Sequence, residues 1–447
     1  MADMKKAGIL TGIFLTAVLF PLLFAGGLYL LDEDVPHDAP TESFTAYLNK
    51  RVPKLMERYD IPGISLALVK EGKIVWTQAY GYTDIGTGRK MTANTVMRAQ
   101  SISKSVTAWG IMKLTEEGKL NLDDPIVRYL KDWKFPESEY PANKVTIRQL
   151  LSHTSGLPLG DVFAIYSPEE PKPSLRESLT HSAIHVKEPG SGFSYSNVGY
   201  NLLELLIEEV TGRDFSEYMK NEILSPLGMP NAAFVWSESI KPPVPKGYTL
   251  NGKAVPVYVY PEKASGGLFA TAEDIACFCI AGMPDFSEQD VLTRPGVECL
   301  YVPQAEKLGI YALVFDAYGL GYYTERLSGG KTAVSHGGQG TGWMSHFHAV
   351  PETGDAIVIL TNSQRSWPFI AGVLNDWTRW CGFSAPGMAL ILLGEGVLWA
   401  LVGLTLAAIF FLAAEVVRRI AKGGRRFTPP YFKRMNLPRV LRFLYLY

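Results

Sequence analysis

Cysteine is scarce in this chain of 447 residues, with four in all, Cys277, Cys279, Cys299 and Cys381, at no repeated spacing. That excludes a disulfide framework and a cysteine-based zinc site, and Cys277 and Cys279 do not share a face if their segment is helical. Buried free thiols are the expectation. Charge of one sign is lacking too: the formal net charge is −1, and only 19% of residues are charged. The balance is uneven along the chain. Nine lysines and arginines stand against two glutamates after Cys381, Lys5 and Lys6 stand against Asp3 in residues 1–31, and residues 32–380 are left with a net of −9. An acidic centre between basic ends argues against a nucleic-acid partner and fits a membrane protein with basic cytoplasmic flanks. There is no internal repeat and no low-complexity tract. At 47% hydrophobic the chain has ample material for a core.

Two long uncharged runs are present. Residues 7–31 are predicted to be a signal anchor or a cleaved signal peptide, with retention favoured because the apolar run outlasts the small residues Ala25-Gly26-Gly27. Residues 388–417 are predicted to be a transmembrane helix, followed at once by Arg418, Arg419, Lys422, Arg425 and Arg426. Basic flanks stay inside, so both termini are expected in the cytoplasm and residues 32–382 outside, with a basic cytoplasmic tail over 418–447 of which Phe427 to Tyr447 is expected on the membrane surface.

Within the central segment, β-rich runs flank Glu71-Gly72 and Pro351-Glu352-Thr353-Gly354-Asp355, which predicts a hairpin near each end. Val198, Leu202, Leu205, Leu206 and Val210 recur at helical spacing until Thr211-Gly212. The fold class expected is α+β: an antiparallel sheet built from both ends of the domain, flanked by helices, with a helical insertion.

Three short motifs carry chemistry. Ser101-Ile102-Ser103-Lys104 opens a helical pattern, and residues three apart on a helix are neighbours, so Ser101 and Lys104 face one another. A helix start favours an alkoxide and a lowered lysine pKa. Tyr195-Ser196-Asn197 supplies a phenol and an amide just ahead of the Val198 helix. His336-Gly337-Gly338 is expected to end a short strand, its glycines giving a substrate backbone room to approach. Each alone is weak, since serine and lysine at this spacing recur by accident. His346 and His348 alternate along a strand and share a face, yet no third metal ligand is evident, so a structural or groove-lining role is expected and no metal or other cofactor. His153 reads as a loop histidine rather than a catalyst. Lys331-Thr332-Ala333 lacks a closing glycine, and Gly330-Lys331-Thr332 lacks the earlier glycine of a phosphate loop.

Together and in this order, the three motifs resemble the serine β-lactamase and penicillin-binding protein superfamily, nearest its branch of class C β-lactamases, D-alanyl-D-alanine carboxypeptidases and esterases. The resemblance covers residues 42–380 and extends to Leu150-Leu151-Ser152-His153-Thr154-Ser155-Gly156-Leu157-Pro158, to Pro189-Gly190, and to Ser265-Gly266-Gly267-Leu268 with Thr271-Ala272-Glu273-Asp274. It implies a membrane-anchored serine hydrolase working through an acyl-enzyme on an amide or ester, such as a peptide containing a D-amino acid. Ser101 would be the nucleophile, Lys104 and Tyr195 the acid and base, and Asn197 the group orienting Lys104 and the substrate amide. His336 stands where other branches carry lysine; with an ordinary pKa of about 6.5 it would hold a substrate carboxylate only while protonated. The amides of Ser101 and Gln339 would form the oxyanion hole. The C-terminal span adds a likeness to prodrug peptidases, which carry several such spans where this chain has one. The alternatives are a β-lactamase, a plain esterase, a slowly deacylating penicillin-binding sensor or a silent scaffold. The partners expected are a small-molecule or peptide substrate and the lipid membrane.

Overall fold

The computed structural model describes residues 37–423. The anchor or signal segment over residues 1–31 and the tail beyond Gly423 lie outside the described residues. A compact unit ends at Leu392. Its first helix, α1 (Thr41–Tyr59), leads into strands β1 (Gly63–Lys70) and β2 (Lys73–Asp84). The turn between them has Glu71 at φ 49° and Gly72 at φ 71°. Two consecutive positive φ values twist a two-residue hairpin in the same sense as its strands, and glycine takes the second without strain.

The sheet is closed from the other end of the domain. Strands β3 (Arg89–Lys90), β4 (Ala317–Tyr318), β5 (Tyr323–Arg326), β6 (Thr332–Gly340), β7 (Trp343–Val350) and β8 (Asp355–Thr361) complete an eight-stranded antiparallel sheet in the order β3-β2-β1-β8-β7-β6-β5-β4. β1 pairs with β8 in the register Ile64↔Thr361 through Val69↔Ala356. Every residue of β7 and β8 is buried. Both faces are covered, so these strands do not alternate between apolar and polar. One face, with Leu66, Leu68, Ile357 and Ile359, packs on α1 and on α5 (Trp367–Trp380). The other, with Ala67, Val69, Val358 and Leu360, joins the larger core around the helical insertion.

At the centre of that core runs α2 (Ile102–Glu116), buried on all sides through Leu114 except at Lys113. α3 (Asn197–Thr211) and α4 (Ala272–Ala281) lie in the same core. α3 starts where Ser196 accepts the Gly199 N–H at 2.9 Å and stops at Gly212. α6 (Ala389–Ala421) is 33 residues long, apolar, and unburied. The α+β, β-lactamase-like architecture expected from the sequence is present. One boundary differs: His336-Gly337-Gly338 sits in the middle of the nine-residue β6 rather than at the end of a short strand. The four cysteines are free, Cys279 buried and the other three half-buried.

Candidate active site

Ser101 is placed by the turn that starts α2. Gln100, just before it, has φ 52°, a left-handed conformation that costs a non-glycine residue energy and is held by its surroundings. Its side chain donates to the Tyr258 hydroxyl at 3.2 Å and accepts from the Tyr260 hydroxyl at 3.2 Å. Its carbonyl accepts from Ser103 Oγ at 2.6 Å. Ser101 itself, at φ −67° and ψ −4°, is the N-cap of α2, and its N–H has no backbone acceptor among the described residues.

One helical turn on, Lys104 Nζ stands 3.1 Å from Ser101 Oγ and donates to the Ser265 carbonyl at 2.6 Å. Lys104 is fully buried without a carboxylate partner, and burial holds its pKa well below the ordinary lysine value. An amine kept neutral in this way has a lone pair to offer the Ser101 hydroxyl. Asn197 lines the same cavity as Ser101 but makes no hydrogen bond to Lys104. The Ser265 carbonyl fixes Lys104 because the loop before Leu268 is folded against α2: Thr107 Oγ1 donates to Ala264 O at 3.1 Å, and Leu268 N–H donates to Ser103 Oγ at 3.0 Å. From α3, Glu204 accepts the N–H groups of Lys263 and Ala264 at 2.6 and 2.8 Å.

Tyr195 reaches Ser101 from the segment before α3. Lys104 Nζ lies 4.8 Å from its ring centroid, a contact open to a neutral amine as well as to a cation. Burial raises the phenol pKa above its usual value, and a hydrogen bond with Ser101 works against that rise, so the hydroxyl stays protonated. His153 is the backing for this ring. It is buried at φ 58°, its ring centroid is 4.2 Å from that of Tyr195, and its Nδ1 accepts the Ser196 N–H at 3.1 Å. The Leu150-to-Pro158 stretch thus positions the Tyr195-Ser196-Asn197 triplet, a role that spacing alone does not show.

β6 forms the opposite wall. His336, Gly337, Gln339 and Gly340 line the cavity with Ser101, Tyr195 and Asn197, in a cleft of about 800 Å³. His336 is 1% exposed, and burial, aided by Lys104, lowers its pKa to about 3, so at neutral pH it is uncharged and cannot hold a carboxylate by charge. Its Nε2 lies 3.2 Å from the Tyr318 hydroxyl and its Nδ1 2.8 Å from Gly337 O. Gly338 does not line the cleft: a Cβ there would lie 2.6 Å from Ala99 O and 2.7 Å from Gln100 Cβ. It is small because β6 packs directly on the turn that presents Ser101, not to admit a substrate. Gln339 accepts from Trp367 Nε1 at 3.0 Å through its side chain. His346 and His348 are buried with ring centroids 5.8 Å apart, and no metal-binding group of three occurs among the described residues.

Residues 48–372 match the family model described as Beta-lactamase. The chain belongs to the Beta-lactamase family. Family relatives include protein flp of Staphylococcus aureus (strain N315), 31% identical over 217 residues that make up 48% of this chain and 43% of flp. The chain spans less than half the length of that curated relative. Among solved structures, the octameric penicillin-binding protein homologue from Pyrococcus abyssi superposes with a TM-score of 0.63 at 27% identity, over 74% of this chain and 76% of its own. SurE, in a structure with D-Leu, gives a TM-score of 0.61 at 26% identity over 76% of each chain.

Proposed function

We propose that this Beta-lactamase-family chain is a membrane-anchored serine hydrolase of the class C and carboxypeptidase-like branch that forms an acyl-enzyme on Ser101. The observation that carries the reading is the buried, carboxylate-free Lys104 amine 3.1 Å from Ser101 Oγ. As Oγ bonds to the substrate carbonyl carbon, its proton passes to Lys104, which becomes an ammonium. The tetrahedral oxygen is held by the N–H groups of Ser101 and Gln339, the preorganised donors that acyl transfer needs. When the intermediate collapses, the amine or alcohol leaves with the Tyr195 proton, and the Lys104 ammonium reprotonates the phenolate. Water then repeats the sequence on the acyl-enzyme. Asn197 and the β6 backbone hold the substrate amide, and no cofactor is required by any step.

An amide or ester of a D-amino acid is the substrate class this reading favours, supported by the D-Leu held by the related SurE structure. Turnover of D-alanyl peptides, penicillins and short-chain esters in excess over enzyme tests it. Multiple turnovers that vanish in Ser101→Ala and persist in Ser105→Ala support the assignment. Ser105 bonds Gly321 O at 2.6 Å and faces away from Lys104. Equal rates for wild type and Ser101→Ala would sink it.

A further inference from the structure

The mouth of the Ser101 cleft carries several exposed apolar side chains. On one side the loop carrying Leu159, Val162 and Phe163 lines it, with Phe163 81% exposed. On another, the short helical turn Gly309–Leu313 presents Ile310 at 77% exposed. Scattered single apolar residues are ordinary on a protein surface, whereas several around one opening mark a surface that is covered in use. The lining continues inward to Met388 and Ile391, which belong to or pack against the domain core.

The cleft also lacks a cation. Among its lining residues the charged side chains are Asp161 and Glu262, both acidic, while His336 is buried and uncharged. A substrate bearing a carboxylate beside its scissile bond would meet no counter-charge there.

We propose that the substrate is an amphiphile whose long hydrocarbon chain lies across the Phe163 and Ile310 rim while its amide or ester carbonyl reaches Ser101. This rests on Ser101 being the nucleophile. The exposed rim supplies apolar surface for the chain, and the lining offers a free carboxylate no counter-charge. The chemical class is a fatty-acyl amide or ester, and the short D-peptides of the simpler reading would be poor analogues of it.

The test uses full-length protein in lipid nanodiscs and p-nitrophenyl esters from two to ten carbons. The expected kcat/KM rises by roughly two- to fourfold per methylene until the chain outgrows the rim, the scale of burying a CH₂ group. The double variant Phe163→Ser/Ile310→Ser should lower the ten-carbon to two-carbon ratio by at least tenfold. Leu250→Ser, at an exposed leucine outside the cleft lining, should leave the ratio as in wild type. Partition into the disc is common to all three proteins, so the difference in slope reads the rim. Hydrolysis of short esters with no dependence on chain length, or a slope unaltered by the double variant, overturns the inference and leaves the nucleophile standing. No hydrolysis at any length, with Ser101 unlabelled by a fluorophosphonate, overturns both.

Discussion

Lys104 and His336 are both buried bases, and burial has opposite consequences at the two. For Lys104, loss of charge is what makes it useful: its pKa sits well below the usual lysine value, and the free amine faces Ser101. For His336, loss of charge removes the carboxylate-holding role that its ordinary pKa suggests, leaving a neutral ring between Tyr318 and Gly337 O. The pH dependence of acylation follows from the signs. kcat/KM should rise as Lys104 deprotonates, in a limb well below the ordinary lysine range, and hold level up to the raised Tyr195 pKa. His336, with a pKa of about 3, should add no limb between pH 5 and 8. Profiles of wild type and His336→Asn should have the same shape in that window, whatever their heights. A limb near pH 6.5 present in wild type and missing from His336→Asn would show that the ring titrates after all. Burial is a product of the whole fold, so no local pattern of residues could reveal either pKa.

At the scale of elements, α3 does two jobs. Its N-terminus carries Tyr195 and Asn197, and Glu204, two turns on, holds the loop whose Ser265 carbonyl fixes Lys104. Burial raises the Glu204 pKa to about 8 despite its two N–H donors. A carboxyl with a raised folded pKa contributes stability that is full below its unfolded value of about 4.5 and is lost as pH rises through 8, at up to about 1.4 kcal/mol per pH unit. Glu204→Gln keeps an acceptor and cannot ionise. Its melting temperature should match wild type near pH 4.5 and exceed it progressively toward pH 8. Curves that stay parallel would mean Glu204 does not titrate in that window. Hairpins and helix ends are the most legible elements, because Glu71-Gly72 and Thr211-Gly212 are read by neighbours a few residues away. The roles of Gln100, His153 and Ser265 are not, since each acts across a long stretch of sequence. Close packing of Gly338 on Ala99 and Gln100 is likewise invisible in the local sequence.

The whole molecule joins the sheet's central pair, β1 and β8, from opposite ends of the domain, which is why the motifs at Ser101, Tyr195 and His336 fall in one cleft. α6 is the one helix among the described residues long and apolar enough to span a membrane. With Lys5 and Lys6 before the first apolar run and Arg418 and Arg419 at the end of α6, we propose that both termini are cytoplasmic and the catalytic unit lies outside. Protease added to intact cells should remove an epitope placed in the exposed loop at Leu250 and spare one at Tyr447; the reverse pattern would invert the topology. The central claim is narrower and can be read by mass. Solubilised full-length protein, treated with a fluorophosphonate and digested, should carry a single covalent adduct on the peptide containing Ser101, placed on that serine by fragmentation and absent from Ser101→Ala. An adduct on Ser103, Ser105 or any other residue, or an adduct that survives in Ser101→Ala, would contradict it.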